Sequence, residues 1–241
     1  MSDLVFKNNC KINIFLSDDE TAAVKRAAND LCTDLSKVLD ISASVSSVGS
    51  ASVIIKTFED PKEVRVALSC RIFPTEALNS LLFEGKFCKE AFALAVSGGV
   101  LYILGNTRRG SIYGIYEFSR MLGVSPWHWF ADIPVEKRIA FSLPDGFLKA
   151  DRPSVEYRGI FINDEEELEA WSIAHMGEST IGPKTYEKVF ELLDSYEGPY
   201  CVESFDPRVV LWLRKNRPAV IRGQLSMDFL LEPAPGGNPS T

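Results

Sequence analysis

No stretch of this 241-residue sequence approaches the roughly 20 consecutive apolar residues that a membrane-spanning helix needs. An excess of basic charge is lacking as well. Lys and Arg number 26 against 33 Asp and Glu, for a net charge of -7, which argues against nucleic acid or an anionic membrane surface as the main partner. Closely spaced cysteine pairs are also absent. The five cysteines, Cys10, Cys32, Cys70, Cys88 and Cys201, are odd in number and widely separated. That pattern suits neither a disulfide framework nor a zinc site, so the thiols read as reduced and mostly buried. Neither a metal nor a cofactor is expected. The first residues, Met1-Ser2-Asp3-Leu4-Val5-Phe6-Lys7, hold no basic-then-apolar run and no small-residue cleavage site, which predicts a cytoplasmic location. A homo-oligomer is compatible with all of this.

What is present is ordinary globular material, 46% hydrophobic and 24% charged, enough for one or two domains with a real core. Lys11–Leu16 alternates as a strand does. Ser17 with Glu20 three residues on has the capping-box spacing, and Val24, Ala27, Ala28, Leu31, Leu35, Val38 and Leu39 then recur at helical steps. Ser46 to Ala51 reads as a loop and Ser52–Thr57 as a buried β-branched strand. Residues 58–90 give only a short helix over Pro74–Leu82. Phe92–Val96 and Val100–Leu104 flank Ser97-Gly98-Gly99, a β-hairpin pattern. A helix over Thr107–Leu122 places Ile112, Ile115, Tyr116, Ser119 and Leu122 on one face, with Gly123 as its terminating glycine. Gly114 inside that helix costs about 1 kcal/mol relative to alanine, and close packing on the hairpin would justify it. A single α/β layer over residues 1–145 is expected.

Ser125-Pro126-Trp127-His128-Trp129-Phe130-Ala131-Asp132-Ile133-Pro134 is a proline-bounded aromatic loop. Such a loop is either an apolar plug between domains or a platform for sugar rings. Asp151-Arg152-Pro153 reads as a linker, and Val155–Ile162 as a strand running into Asn163-Asp164-Glu165. In an α/β barrel the carboxyl end of a strand is where catalytic residues gather. The same three residues ahead of a helix are also ordinary N-cap chemistry. Residues 183–193 read as a helix with Pro183 in its first turn.

Three stretches, Arg108–Tyr116, Gly123–Pro134 and Tyr157–Glu165, together with Ala174–Gly177 and Thr180–Tyr186, resemble glycoside hydrolase family 115 in order and spacing. The resemblance implies an accessory α/β sandwich domain followed by a (β/α)8-type barrel. Its activity is removal of 4-O-methylglucuronic or glucuronic acid from xylan with inversion, which needs two carboxyl groups about 6.5–9.5 Å apart. It assigns the reacting centre to Asp164 and substrate contacts to Arg158, Asn163 and Glu165; Trp129 is a further substrate-binding candidate on the reading of the aromatic loop as a sugar platform. A guanidinium at Arg158 suits a substrate carboxylate, although strand alternation would point it away from the pocket.

After Leu193 the pattern changes. Tyr196–Pro207, Trp212–Pro218 and Arg222–Ser226 are similar to late barrel strands of a glycerophosphodiester phosphodiesterase, where Glu203 would line the site. That family's His-Arg-Gly segment and Glu-Asn metal pair are missing, since neither His128 nor His175 precedes Arg-Gly. The expected division is therefore an accessory domain at 1–148, a truncated first barrel strand and helix at 149–193, a second barrel fragment at 194–230 and a disordered tail at 231–241. Such an incomplete (β/α) barrel cannot close, and a chain acting on glucuronoxylan or xylo-oligosaccharide would be inactive alone. A carbohydrate-binding or assembly module using the 125–134 loop is the alternative, and a metal-dependent phosphodiesterase a third.

Overall fold

A computed structural model describes residues 2–128, 133–156, 158–159, 161–163, 165–196 and 199–225. Contacts divide the chain into two compact units, Met1–Ser195 and Tyr196–Thr241.

In the first unit β1 (Leu4–Lys7), β2 (Lys11–Phe15), α1 (Ala22–Leu39), β3 (Ser42–Ser46) and β4 (Val53–Phe58) come first. They are followed by α2 (Pro61–Cys70), α3 (Thr75–Ser80), the short strands β5 (Leu82–Phe83) and β6 (Lys86–Phe87), and then β7 (Phe92–Ser97) and β8 (Val100–Asn106). Next come α4 (Thr107–Leu122), β9 (Ala140–Leu143) and β10 (Leu148–Asp151). Six strands form one sheet in the order β10-β7-β8-β4-β2-β3. β3, β2, β4 and β8 are parallel; β7 is antiparallel to β8 and β10 in turn antiparallel to β7, so β7 alone runs against the other five strands of this sheet. β1 pairs separately with β9.

Strand alternation sends Val53, Ile55, Phe92, Leu94, Val96, Leu101 and Ile103 into a core shared with Leu31, Leu35, Ile115 and Phe118 of α1 and α4. Phe58, Ala93, Ala95 and Leu104 enter a second core with Val64 and Ala67 of α2 and Ala77, Leu78 and Leu81 in and beside α3. Helices thus cover both faces of the sheet, and the single α/β layer expected from the sequence becomes three layers. The cause is α2, which the sequence reading left unassigned. Asp60 caps it by accepting from the Lys62 amide at 2.7 Å, and Pro61 opens its first turn.

The apolar positions of α1 read from the sequence are all buried. Its start differs from expectation. Ser17 belongs to a turn in which the Glu20 amide donates to the Ser17 carbonyl, and the cap is Thr21, whose hydroxyl accepts from the Val24 amide at 3.5 Å. Gly114 fits its predicted reason: a Cβ there would lie 2.9 Å from Ile103 Cγ2 and 3.3 Å from Phe92 Cβ, both on the hairpin. Tyr116, expected on the buried face of α4, is 44% exposed and donates its hydroxyl to Asp30 at 2.7 Å.

Beyond β10 the first unit holds α5 (Glu166–Trp171), a π-helical turn (Ser172–Met176) and α6 (Pro183–Ser195). The strand expected over Val155–Ile162 does not form at its described residues. No neighbouring strand pairs with them, and an apolar run without a partner has no ladder to join.

In the second unit β11 (Cys201–Ser204), α7 (Pro207–Asn216) and β12 (Ile221–Gln224) make a parallel βαβ unit, Cys201 opposite Ile221 through Ser204 opposite Gln224. Asp206 caps α7 by accepting from the Arg208 amide. Of its apolar residues Val209, Val210 and Leu213, only Leu213 is buried. The tail expected at 231–241 lies outside the described residues.

Candidate functional site

The expected site residues follow β10, and the structure shows how the chain reaches them. Arg152 lies with its guanidinium carbon 3.4 Å from the centroid of the Phe83 ring, a cation–π contact. Farther on, Arg158 turns to the sheet domain. Its Nη1 donates to the carbonyls of Val155 and Glu156, and its Nη2 donates to the Glu90 carboxylate and to the Tyr113 hydroxyl, the latter at 3.1 Å. Glu90 also accepts from Arg109 Nη1 at 3.1 Å. These two neighbours, Tyr113 first, push the already high Arg158 pKa further up. Glu90 itself sits at φ 63°, in the left-handed region, where its amide donates to the Asn106 carbonyl at 3.1 Å.

Asn163 is half-buried and Glu165 is exposed at the N-cap of α5, where its side chain makes no capping bond. The capping alternative is therefore not what Glu165 does. Asp164 lies outside the described residues, and so does Trp129.

Just beyond sits a polar cluster that the sequence reading missed. Ser172 and Thr185 are completely buried. Thr185 Oγ1 is 2.7 Å from Ser172 Oγ and 2.8 Å from Glu178 Oε2, and Ser172 Oγ also donates to the Thr180 carbonyl at 2.9 Å. Glu178 further accepts the backbone amides of Lys184 and Thr185, each at 3.1 Å. Those amides belong to the first turn of α6, so Glu178 caps that helix from outside it. Burial pushes the Glu178 carboxyl up, but hydrogen bonds from Thr185, Lys184 and Ser172 outweigh it and hold the pKa below its ordinary value. Gly182 makes room: a Cβ there would stand 2.4 Å from Glu178 Oε1. The Gly182-Pro183 pair was the local signal for this arrangement. Beside it, the Trp171 and His175 rings stack with centroids 5.4 Å apart.

The aromatic loop is anchored at His128. Its Nδ1 lies 2.8 Å from the Ile133 carbonyl and its Nε2 lies 3.1 Å from Lys37 Nζ. A carbonyl only accepts and an ammonium only donates, so these contacts fit the neutral ring protonated at Nδ1. Trp127 is 63% exposed.

Among the described residues no three His, Cys, Asp or Glu side chains are grouped to hold a metal ion. A cavity of about 210 Å³ opens at the carboxyl ends of β2 and β3, lined in part by Ser17, Asp18, Lys25 and Asn29. None of the expected site residues lines it. No helix among the described residues is long and apolar enough to cross a membrane.

Residues 150–201 match the family model described as glycosyl hydrolase family 115. None of the curated proteins matches the chain. Among solved structures, a novel family GH115 4-O-methyl-alpha-glucuronidase with specificity for decorated arabinogalactans is similar at 38% identity and TM-score 0.62, over 79% of this chain and 24% of its own. A GH138 enzyme targeting pectin rhamnogalacturonan II is similar at 17% identity and TM-score 0.32, over 46% of this chain and 13% of that one. A mutant Streptomyces plicatus beta-hexosaminidase in complex with product is similar at 12% identity and TM-score 0.38, over 64% and 24%. The last two are too distant to carry an argument. The chain spans about a quarter of the length of the first.

Proposed function

Since residues 1 to about 193 are similar to the N-terminal part of glycoside hydrolase family 115 enzymes, we propose that the chain is a glycosidase region for (4-O-methyl)glucuronic acid side chains, with little or no activity by itself. The observation that carries this is the 38% identity over 79% of the chain to a 4-O-methyl-alpha-glucuronidase. The polymer bearing the side chain is xylan in this reading, with decorated arabinogalactan the alternative that the same similarity suggests. Asp164 is the residue that meets the uronic acid or the reacting centre, and Asn163 and Glu165 flank it.

The inactivity follows from barrel geometry. A closed barrel needs strands hydrogen-bonded around the whole ring. The strands described after residue 151, β11 and β12, pair only with each other. Inversion also requires a second carboxyl group about 6.5–9.5 Å from the first. Incubating the purified chain with glucuronoxylan and measuring released 4-O-methylglucuronic acid tests this. No release above buffer is expected; sustained release would end the inactivity claim. Release from arabinogalactan but not from xylan would move the substrate.

A second reading, a carbohydrate-binding module, is favoured by the exposed Trp127 on the anchored aromatic loop. It predicts that xylo-oligosaccharides change tryptophan fluorescence and that Trp129→Ala removes the change. An unchanged spectrum of the unaltered chain rejects it. The third reading, a metal-dependent phosphodiesterase, has as support only the parallel βαβ unit of β11, α7 and β12, with Glu203 on β11. Magnesium- or calcium-dependent release of glycerol phosphate is the test of that activity, and none is expected.

A further inference from the structure

The role of Arg158 can be argued from a count of donors. A guanidinium carries five N–H groups, two on each Nη and one on Nε. Both Nη1 donors have carbonyl acceptors, at Val155 and Glu156. Both Nη2 donors have acceptors as well, the Glu90 carboxylate and the Tyr113 hydroxyl. Bidentate pairing with a sugar carboxylate needs two parallel N–H groups along one edge of the fork. With both Nη groups committed, neither edge retains such a pair.

The partners differ in origin. Val155 and Glu156 belong to the segment that carries Arg158, whereas Glu90 precedes β7 and Tyr113 sits on α4. Glu90 is held in turn by Arg109 at 3.1 Å, and the Arg158 guanidinium carbon lies 5.8 Å from the Tyr113 ring centroid. The Glu90 and Arg158 side chains are 18% and 28% exposed. Six residues earlier Arg152 stacks on Phe83. Two arginines of the post-β10 segment therefore grip the sheet domain, one through an aromatic ring and one through a carboxylate and a phenol.

We infer that Arg158 is a positioning residue that, with Glu90 and Tyr113, latches the segment carrying Asn163, Asp164 and Glu165 to the sheet domain. The inference rests on the proposed uronic-acid reading for its functional consequence. The latch contacts stand independently of it. Removing either end of the latch lets the segment move and misplaces the site without removing a group that touches substrate.

The test uses the full chain in four forms: unaltered, Glu90→Gln, Arg158→Gln and the double variant, each titrated with glucuronic acid. As partners in one contact, both single variants and the double variant should weaken binding by the same factor, about tenfold, with no further loss in the double. Loss with Arg158→Gln while Glu90→Gln binds as well as or better than the unaltered chain would overturn the latch and make Arg158 a substrate ligand. If the unaltered chain does not bind glucuronic acid, the uronic-acid reading fails and amide hydrogen exchange over 155–163 decides the latch. Equal acceleration in all three variants, with α1 unchanged, supports it; unchanged exchange in that segment overturns it.

Discussion

Residues 2–151 and 152–195 belong to one compact unit, yet different forces hold them. The first region buries more than thirty apolar side chains in two cores on opposite faces of a six-stranded sheet. In the second, among the described residues, the fully buried side chains are Ser172 and Thr185, both hydroxyls, and no apolar side chain is buried. Its grip comes from directed contacts: Arg152 on Phe83, Arg158 on Glu90 and Tyr113, Arg26 of α1 with Glu191 of α6 at 3.4 Å, and the Glu178 cluster. Apolar burial is cooperative and insensitive to pH, whereas each polar contact is worth about a kcal/mol and answers to its own titration. The motif-bearing segment is thus the part of the unit able to open without unfolding the rest.

The sharpest way to break this contrast is to attack the cores. Phe118→Ala removes a completely buried ring that packs 6.0 Å from Phe6 and 5.9 Å from Phe141. It should cost about 3–5 kcal/mol, read by urea denaturation with circular dichroism. A cost below 1 kcal/mol would mean that α4 does not depend on this packing. Gly114→Ala is milder. Its Cβ would press on Ile103 and Phe92, so about 1–3 kcal/mol of overpacking should exceed the gain of about 1 kcal/mol in helix propensity. Net stabilisation would show that the hairpin yields.

The next variant works on the second region alone. Glu178→Gln keeps the shape of the cap but removes its charge from the first turn of α6. Hydrogen exchange in α6 should quicken while the melting of the sheet domain stays put. The smallest effect concerns pH within the first region. Glu117 is paired with Arg120 at 2.7 Å and with Lys149 of β10 at 2.6 Å. The Arg120 hydrogen bond above all, with help from Lys149 and against the opposing push of burial, holds its pKa at about 2. A folded value below the ordinary carboxyl range of about 4.3 means that this contribution is present above that range and disappears as pH falls through about 2. The melting difference between the unaltered chain and Glu117→Gln should therefore be present at neutral pH and shrink in acid. A difference that persists unchanged would show that the ion pairs do not stabilise the fold.

How much of this was legible in the sequence follows the same division. The helical periodicity of α1 and the paired runs around Ser97-Gly98-Gly99 report burial directly, and both elements form as read. β3 escaped notice because Ser42–Ser46 is made mostly of small residues; it is a strand because β2 supplies a parallel partner. Ser17 mimicked a cap, but the chain turns once more before Thr21 takes that role. Val155–Ile162 has the composition of a strand, but its described residues have no strand beside them, and composition cannot supply a ladder. Part of the Arg108–Tyr116 motif turns out to be packing. Gly110 and Gly114 let α4 press on Ala91, Phe92 and Ile103. The Glu90 and Tyr113 partners of Arg158 are set by tertiary proximity, so no periodicity could announce them; those of Glu178 lie six or seven residues away, with Gly182-Pro183 as the local signal. The strongest functional signal, the ordered motif set, was legible, and its Tyr157–Glu165, Ala174–Gly177 and Thr180–Tyr186 parts fall within the matched residues 150–201.

The most direct test of the account is hydrogen exchange followed by mass spectrometry on the full chain in increasing urea. Amides of β4, β7 and β8 should exchange only with global unfolding, while those of α5 and α6 exchange through local opening at urea concentrations where the sheet is intact. A common exchange free energy across both regions would contradict the account, because the segment bearing Asn163, Asp164 and Glu165 would then be fixed by the same core as the sheet.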